Sequence, residues 1–224
     1  FTTSTGASLR YDEGVVLHSS PTNEPAMMPR RLLLAVLALT IIGCTSERDQ
    51  TASTPPDSVQ RAVETEIQDL NAMRESLAAT IDTPSVDKQT FARVCKPVGQ
   101  RAKTVAQTHN WTVQQLARKY RNPAHAPDAE ADSVHAQFAQ DAERTKTWIR
   151  TVRDGTQGWR YFRRITVQPS CLACHGAKER RPDFVQSGYP EDRAYGFDAG
   201  DLRGLYAVFV PDSTVDAASP PQTP

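Results

Sequence analysis

The sequence predicts an α+β domain with helices first and an antiparallel sheet after them. Two observations carry this. Between residues 57 and 108, apolar residues recur at spacings of three and four, the period of an amphipathic helix. Between 146 and 167, two strand-like runs flank Asp154-Gly155, a hairpin signal, and the second run alternates as a half-buried strand does.

The 224-residue chain carries 26 basic and 26 acidic residues and four cysteines. A neutral balance argues against a nucleic-acid partner or an electrostatically held membrane. Residues 1–26 show no periodic pattern and read as upstream sequence ahead of Met27 and Met28. Residues 27–43 have the form of a signal peptide, with Arg30 and Arg31 before an apolar run from Leu32 to Gly43. That run is short for a bilayer span. Ile41-Ile42-Gly43-Cys44 resembles the lipobox of bacterial lipoproteins, which makes Cys44 the expected lipidation site; an ordinary secretory signal is the plainer alternative. The expected location is the cell envelope, facing the periplasm, with Thr45 after Cys44 favouring the outer membrane by analogy with known lipoproteins. Loss of residues 1–43 takes away three charges of each sign, so the balance stays at zero.

Residues 44–56 read as a tether. Residues 57–82 follow as an N-terminal helix, with Asp57 as its expected N-cap and Val59, Val63, Ile67, Leu70, Met73, Leu77 and Ile81 as its stripe. The stripe reads as a core face, with a homodimer seam as the alternative. Residues 83–211 form the main domain. Ser85 can cap a second helix running to Thr108, with Phe91, Val94, Cys95, Val98, Ala102 and Val105 on one face and a kink expected at Pro97. A strand over Trp111 to Tyr120, a turn at Arg121-Asn122-Pro123 and a third helix over about 128–143 precede the hairpin. Residues 176–203 read as loop, and Leu205 to Val210 as a last strand stopped by Pro211. Residues 212–224 read as a disordered tail.

The chemistry sits at Cys171-Leu172-Ala173-Cys174-His175. Two thiols separated by two residues, with an imidazole directly after, form the attachment signature of a c-type haem. The thiols add across the two vinyl groups, and the histidine supplies the proximal nitrogen to iron. A redox dithiol would want a strand–helix setting near the chain start, and no second cysteine pair completes a zinc site. One covalent haem c is therefore the expected cofactor. For the iron's sixth position the chain offers Met73, His109, His125, His135 and Cys95. Met73 reads as packing and the three histidines as exposed, whereas Cys95 is a thiol left over in an oxidising compartment. A buried cysteine serving as a small hydrophobe is the competing reading.

From about Phe91 to Val210 the sequence resembles a bacterial domain family long described only as of unknown function, whose characterised form is a single-haem c-type protein with a PAS-like fold. The family also serves as the sensing part of some signalling proteins. The matching marks are Cys95, Arg121-Asn122-Pro123 with Pro127-Asp128, Tyr161 to Ile165, Cys171 to Gly176, Tyr189-Pro190, Asp192, Ala194, Gly196, Gly200-Asp201, Arg203 and Gly204. His125 stands where the family usually has Asn, and the acidic residue expected near 131 is displaced to Glu130 or Asp132.

The resemblance implies a PAS-like antiparallel sheet, with His175 and the Cys95 sulfur as axial ligands of a low-potential haem. Buried haem propionates need cationic or hydroxyl partners, and Arg118, Arg121, Arg163 and Arg164 are candidates, Arg121 and Arg163 foremost. Two classes of function follow: a redox or diatomic-gas sensor acting through a partner protein, or a low-potential electron carrier at the membrane surface. Peroxidase-like enzyme activity is not expected of a six-coordinate iron.

Overall fold

A computed structural model describes residues 54–81 and 86–218. Helix α1 spans Asp57–Ala79 and buries Val59, Val63, Ile67 and Leu70. The expected cap differs. Pro56 holds the N-cap position without a side-chain bond, Asp57 lies in the first turn, and the Gln60 amide reaches back to donate to the Pro55 carbonyl at 2.8 Å. A carboxylate in the first turn still complements the helix dipole.

Helix α2 (Lys88–His109) is capped by Asp87, whose carboxylate accepts from the Thr90 amide; Ser85 lies outside the described residues. Asp87 does what the sequence assigned to Ser85. The helix runs on through Pro97 and stops at Asn110, which adopts the left-handed conformation at φ 54°.

Four strands follow: β1 (Thr112–Leu116), β2 (Lys146–Arg153), β3 (Thr156–Thr166) and β4 (Leu202–Pro211). All pairs are antiparallel, in the order β1-β4-β3-β2. The last strand is therefore central, between β1 and β3, and the sheet is not a plain meander. Asp154 and Gly155 both take positive φ, 49° and 77°, which gives the β2–β3 hairpin the twist of a primed turn. Pro211 ends β4 without breaking its ladder, where it pairs with Gly158.

Helix α3 (Ala129–Gln140) is capped by Asp128 through the Ala131 amide at 2.9 Å. The cysteine motif itself forms a single helical turn, α4 (Leu172–His175), and the stretch read as loop after it contains two short helical turns, Lys178–Arg180 and α5 (Asp183–Gly188). The stretch read as a disordered tail begins as a helix, α6 (Asp212–Ala218), which places Val215 in the core. Both corrections concern segments too short for a periodic pattern.

The sheet has two covered faces. On one, Trp159, Tyr161, Ile165, Tyr206, Val208 and Val210 pack against α1, α2 and α6. On the other, Phe162, Leu205, Ala207 and Leu116 pack against α3. This is the α+β, PAS-like arrangement expected, and the stripe of α1 is a core face of it. On the α3 side, Arg160 is buried and meets Asp128 and Glu130 at 2.8 Å. The acidic residue displaced from position 131 is thus satisfied. No helix among the described residues is long and apolar enough to cross a membrane.

Candidate haem site

β3 ends at Thr166, and a tight turn (Pro169–Cys171) leads into the single helical turn Leu172–His175. Folded this way, the chain turns Cys171, Cys174 and His175 toward a cavity of about 660 Å³ between the α1/α2 pair and the sheet. Gly176 closes the turn. A Cβ there would press on the Leu172 carbonyl, to which the Gly176 amide donates at 2.9 Å.

The segment 192–197 clamps the turn from outside. The Gly196 amide donates to the Gly176 carbonyl at 2.6 Å and the Phe197 amide to the His175 carbonyl at 3.1 Å. The Ala194 carbonyl lies 2.7 Å from His175 Nδ1. A carbonyl can only accept, so Nδ1 carries the proton and Nε2 keeps its lone pair. Burial, together with the charges of Arg203 and Arg121, holds the His175 pKa well below the ordinary histidine value. The ring is neutral and oriented, as a metal-binding imidazole must be.

Asp192 fixes the clamp. Its fully buried carboxylate accepts from the Ala194 amide at 3.0 Å, from Arg121 at 3.3 Å and from Arg181 at 2.9 Å. Arg121 also donates to the Cys174 carbonyl at 2.9 Å. Arg74, on α1, reaches the Thr166 carbonyl at 3.4 Å and lies 3.9 Å from the Cys171 sulfur.

Across the cavity stands Cys95, with Phe91, Val94 and Val98 of α2 beside it. The three described cysteines, 95, 171 and 174, are all free thiols. Cys95 is exposed, yet desolvation by the atoms around it and the neighbouring Cys174 push its pKa up to about 11.

The remaining candidates for iron's sixth position are scattered. Met73 is half-buried on α1 outside the cavity lining. His109 stacks on Trp111 at 4.2 Å and meets Glu66 at 3.2 Å. His135 lies on α3, beyond the sheet. His125 lines the cavity rim, with Nδ1 2.8 Å from the Gln115 carbonyl.

Of the arginine candidates, only Arg121 lines the cavity. Arg118 pairs with Asp132, and Arg164 donates to the Phe138 carbonyl on the α3 side. Arg163 sits between Lys146 and Tyr206 in the sheet, outside the cavity lining. Three cations missed among the sequence-based candidates, Arg74, Lys103 and Arg203, do line it. Arg74 could have been found, because a charged residue sits within the spacing of the α1 stripe, four residues after Leu70 and three before Leu77. Arg203 is half-buried and donates to the Lys119 carbonyl at 2.9 Å, and its pKa is pulled down to about 10 by desolvation and Arg121.

Three thiols and one neutral imidazole around a partly apolar cavity suit a porphyrin iron. The volume falls within the usual range of about 300–1,000 Å³ for cofactor pockets. A family model, Tll0287-like, matches residues 52–211. The chain belongs to the Tll0287-like family. It is similar to the crystal structure of the cyanobacterial heme-protein Tll0287, with 47% identity and a TM-score of 0.63 over 70% of this chain and 96% of that one. No curated protein matches.

Proposed function

We propose that this chain is a haem-binding protein in which Cys171 and Cys174 would hold a single haem c through thioethers, and His175 and Cys95 would be the residues that ligate its iron. One observation carries the reading. Cys95, Cys171, Cys174 and His175 come from elements far apart in the chain and line one cavity, with His175 Nε2 left free by the Ala194 carbonyl. The membership of the Tll0287-like family and the likeness to a heme-protein support it.

When bound, the haem supplies a one-electron iron couple and a site for a diatomic ligand. The protein's own residues decide how that couple behaves. His175 stays neutral and oriented. Cys95 would have to give up its thiol proton to ligate iron, and a thiolate would favour the ferric state. Because Cys95 is carried on α2, a change in what it binds would be felt by that helix, which suits a sensor of redox state or of a diatomic gas. The sensor acts in the cell envelope through a partner protein, tethered by a lipid on Cys44. No catalytic role is proposed. A second reading, low-potential electron transfer, draws support from the cavity rim, where the exposed Lys103 and His125 mark an edge open to a redox partner.

The test is spectroscopy on ferric holoprotein. Covalent attachment should survive acid-acetone extraction and disappear in Cys171→Ser/Cys174→Ser. The ferric protein should give a low-spin thiolate EPR signal that Cys95→Ala abolishes; persistence of that signal would remove Cys95 from the iron. Carbon monoxide binding to the reduced form alone would favour sensing over electron transfer.

A further inference from the structure

Resting on the haem reading above, we infer that Arg203 raises the reduction potential of the iron, acting as a fixed cation in the cavity wall that no carboxylate neutralises. It acts through charge and position, not as a ligand. A cation held there favours the state with one negative charge more, which is the reduced one. It thus opposes the pull of a thiolate toward ferric iron.

Four lysine and arginine side chains line the cavity, and they differ in what already answers their charge. Arg121 donates to the buried carboxylate of Asp192 at 3.3 Å, and Arg74 to Glu75 at 3.2 Å. Lys103 is exposed, so water and salt screen it. Arg203 is half-buried and forms no ion pair among the described residues. Its guanidinium has five donor hydrogens. One bond runs from Nη1 to the Lys119 carbonyl at 2.9 Å, and the group lies over Phe197, 5.3 Å from the ring centre. A charge partly withdrawn from water with no counter-charge is costly. Its pKa is accordingly pulled down to about 10, by desolvation and by Arg121, yet it stays charged at neutral pH.

The fold brings that charge to the proposed iron site. Arg203 lies at the start of β4, beside the last residues of β3, where Gly204 pairs with Ile165 and Leu202 with Thr166. That end of β3 leads into the cysteine turn. Phe197, which seats the guanidinium, meets the His175 ring edge-on at 6.2 Å and donates its amide to the His175 carbonyl. The Arg203 charge is felt at both His175 and Cys95, the two proposed axial ligands. In a porphyrin tethered through its vinyl groups, the propionates project from the edge opposite the thioethers. They therefore leave the cations beside the cysteine turn to the protein's own carboxylates, and Arg203 has none.

The test is the midpoint potential of the holoprotein, measured by spectroelectrochemistry for wild type, Arg203→Gln, Arg203→Lys and Lys96→Gln. Lys96 is exposed on α2 beside Cys95 and outside the cavity lining, so its removal takes away an equal charge that water already screens. In Arg203→Gln the ferrous-to-ferric ratio at the wild-type midpoint should fall about tenfold, as one charge acting through a medium less polar than water would give. Arg203→Lys should restore most of the wild-type potential, because it keeps the charge. The Soret band of every variant should match wild type, since no ligand changes. Should the glutamine variant not fold by circular dichroism, Arg203→Met removes the charge while keeping an extended side chain. A potential in the neutral variant that matches wild type, or falls no further than in Lys96→Gln, would overturn the inference while leaving haem binding intact. Wild-type protein that incorporates no haem would instead overturn the reading on which it rests.

Discussion

At the scale of single residues, the carboxylate of Asp192 does the most distant work. It holds Arg121, Arg181 and the Ala194 amide at once, and the Ala194 carbonyl in turn holds the proton of His175. Asp192→Asn leaves two cations beside a buried amide, so apoprotein stability should fall by about 3 kcal/mol in urea unfolding. The ferric EPR signal of the holoprotein should broaden as the imidazole loses its fixed orientation. A variant as stable as wild type, with an unchanged signal, would contradict this.

Asp128 is the residue that ties stability to pH. Burial alone would raise its pKa, but bonds from Arg160, the Ala131 amide and Arg153 outweigh burial and hold it well below the usual carboxylate range. A depressed carboxylate stabilises the fold above its unfolded value, about 3.9. That contribution is lost as pH falls below about 4. Asp128 is 40% exposed, so the effect should also weaken with added salt. Urea midpoints measured between pH 2 and 6 should show a flatter acid limb for Asp128→Asn than for wild type.

At the scale of elements, α1 and α2 were legible because their apolar residues keep a helical period for several turns. The hairpin was legible because two strand-like runs flank Asp154-Gly155. Their ends were less so. The α2 cap moved from Ser85 to Asp87, since both side chains can accept from a first-turn amide and only backbone geometry chooses between them. Asp87→Ala should cost about 1 kcal/mol in urea unfolding. Leu70, with no exposed surface, should cost about 3 kcal/mol when truncated to Ala. The helices α5 and α6 went unread because six or seven residues cannot display a 3.6-residue period. They are helical where the chain must bury Val185 and Val215.

At the scale of the whole molecule, the N-terminal helix is part of the domain and not an appendage to it. Val63, Ile67 and Leu70 are fully buried in the same cluster as Tyr161, Tyr206 and Val208. A chain beginning at residue 83 therefore uncovers one face of the sheet and one wall of the cavity. It should show neither a cooperative thermal transition nor haem retention, as calorimetry and absorption would report.

Residue chemistry at short range was enough to single out Cys171, Cys174 and His175, which the fold turns toward one cavity, because their signature is a spacing within one helical turn. It was enough for the α+β class as well, because period distinguishes helix from strand. The rest depended on pairing across long stretches of chain. Only the antiparallel β1–β4 pairing makes the last strand central, since many partners fit an alternating strand and burial of both faces decides among them. Only the folded molecule brings Cys95 to the cavity of the cysteine turn and Arg74 within 3.9 Å of Cys171. Which cations line that cavity is likewise tertiary. An arginine's side chain is long enough to serve either face or solvent, and its neighbours determine which.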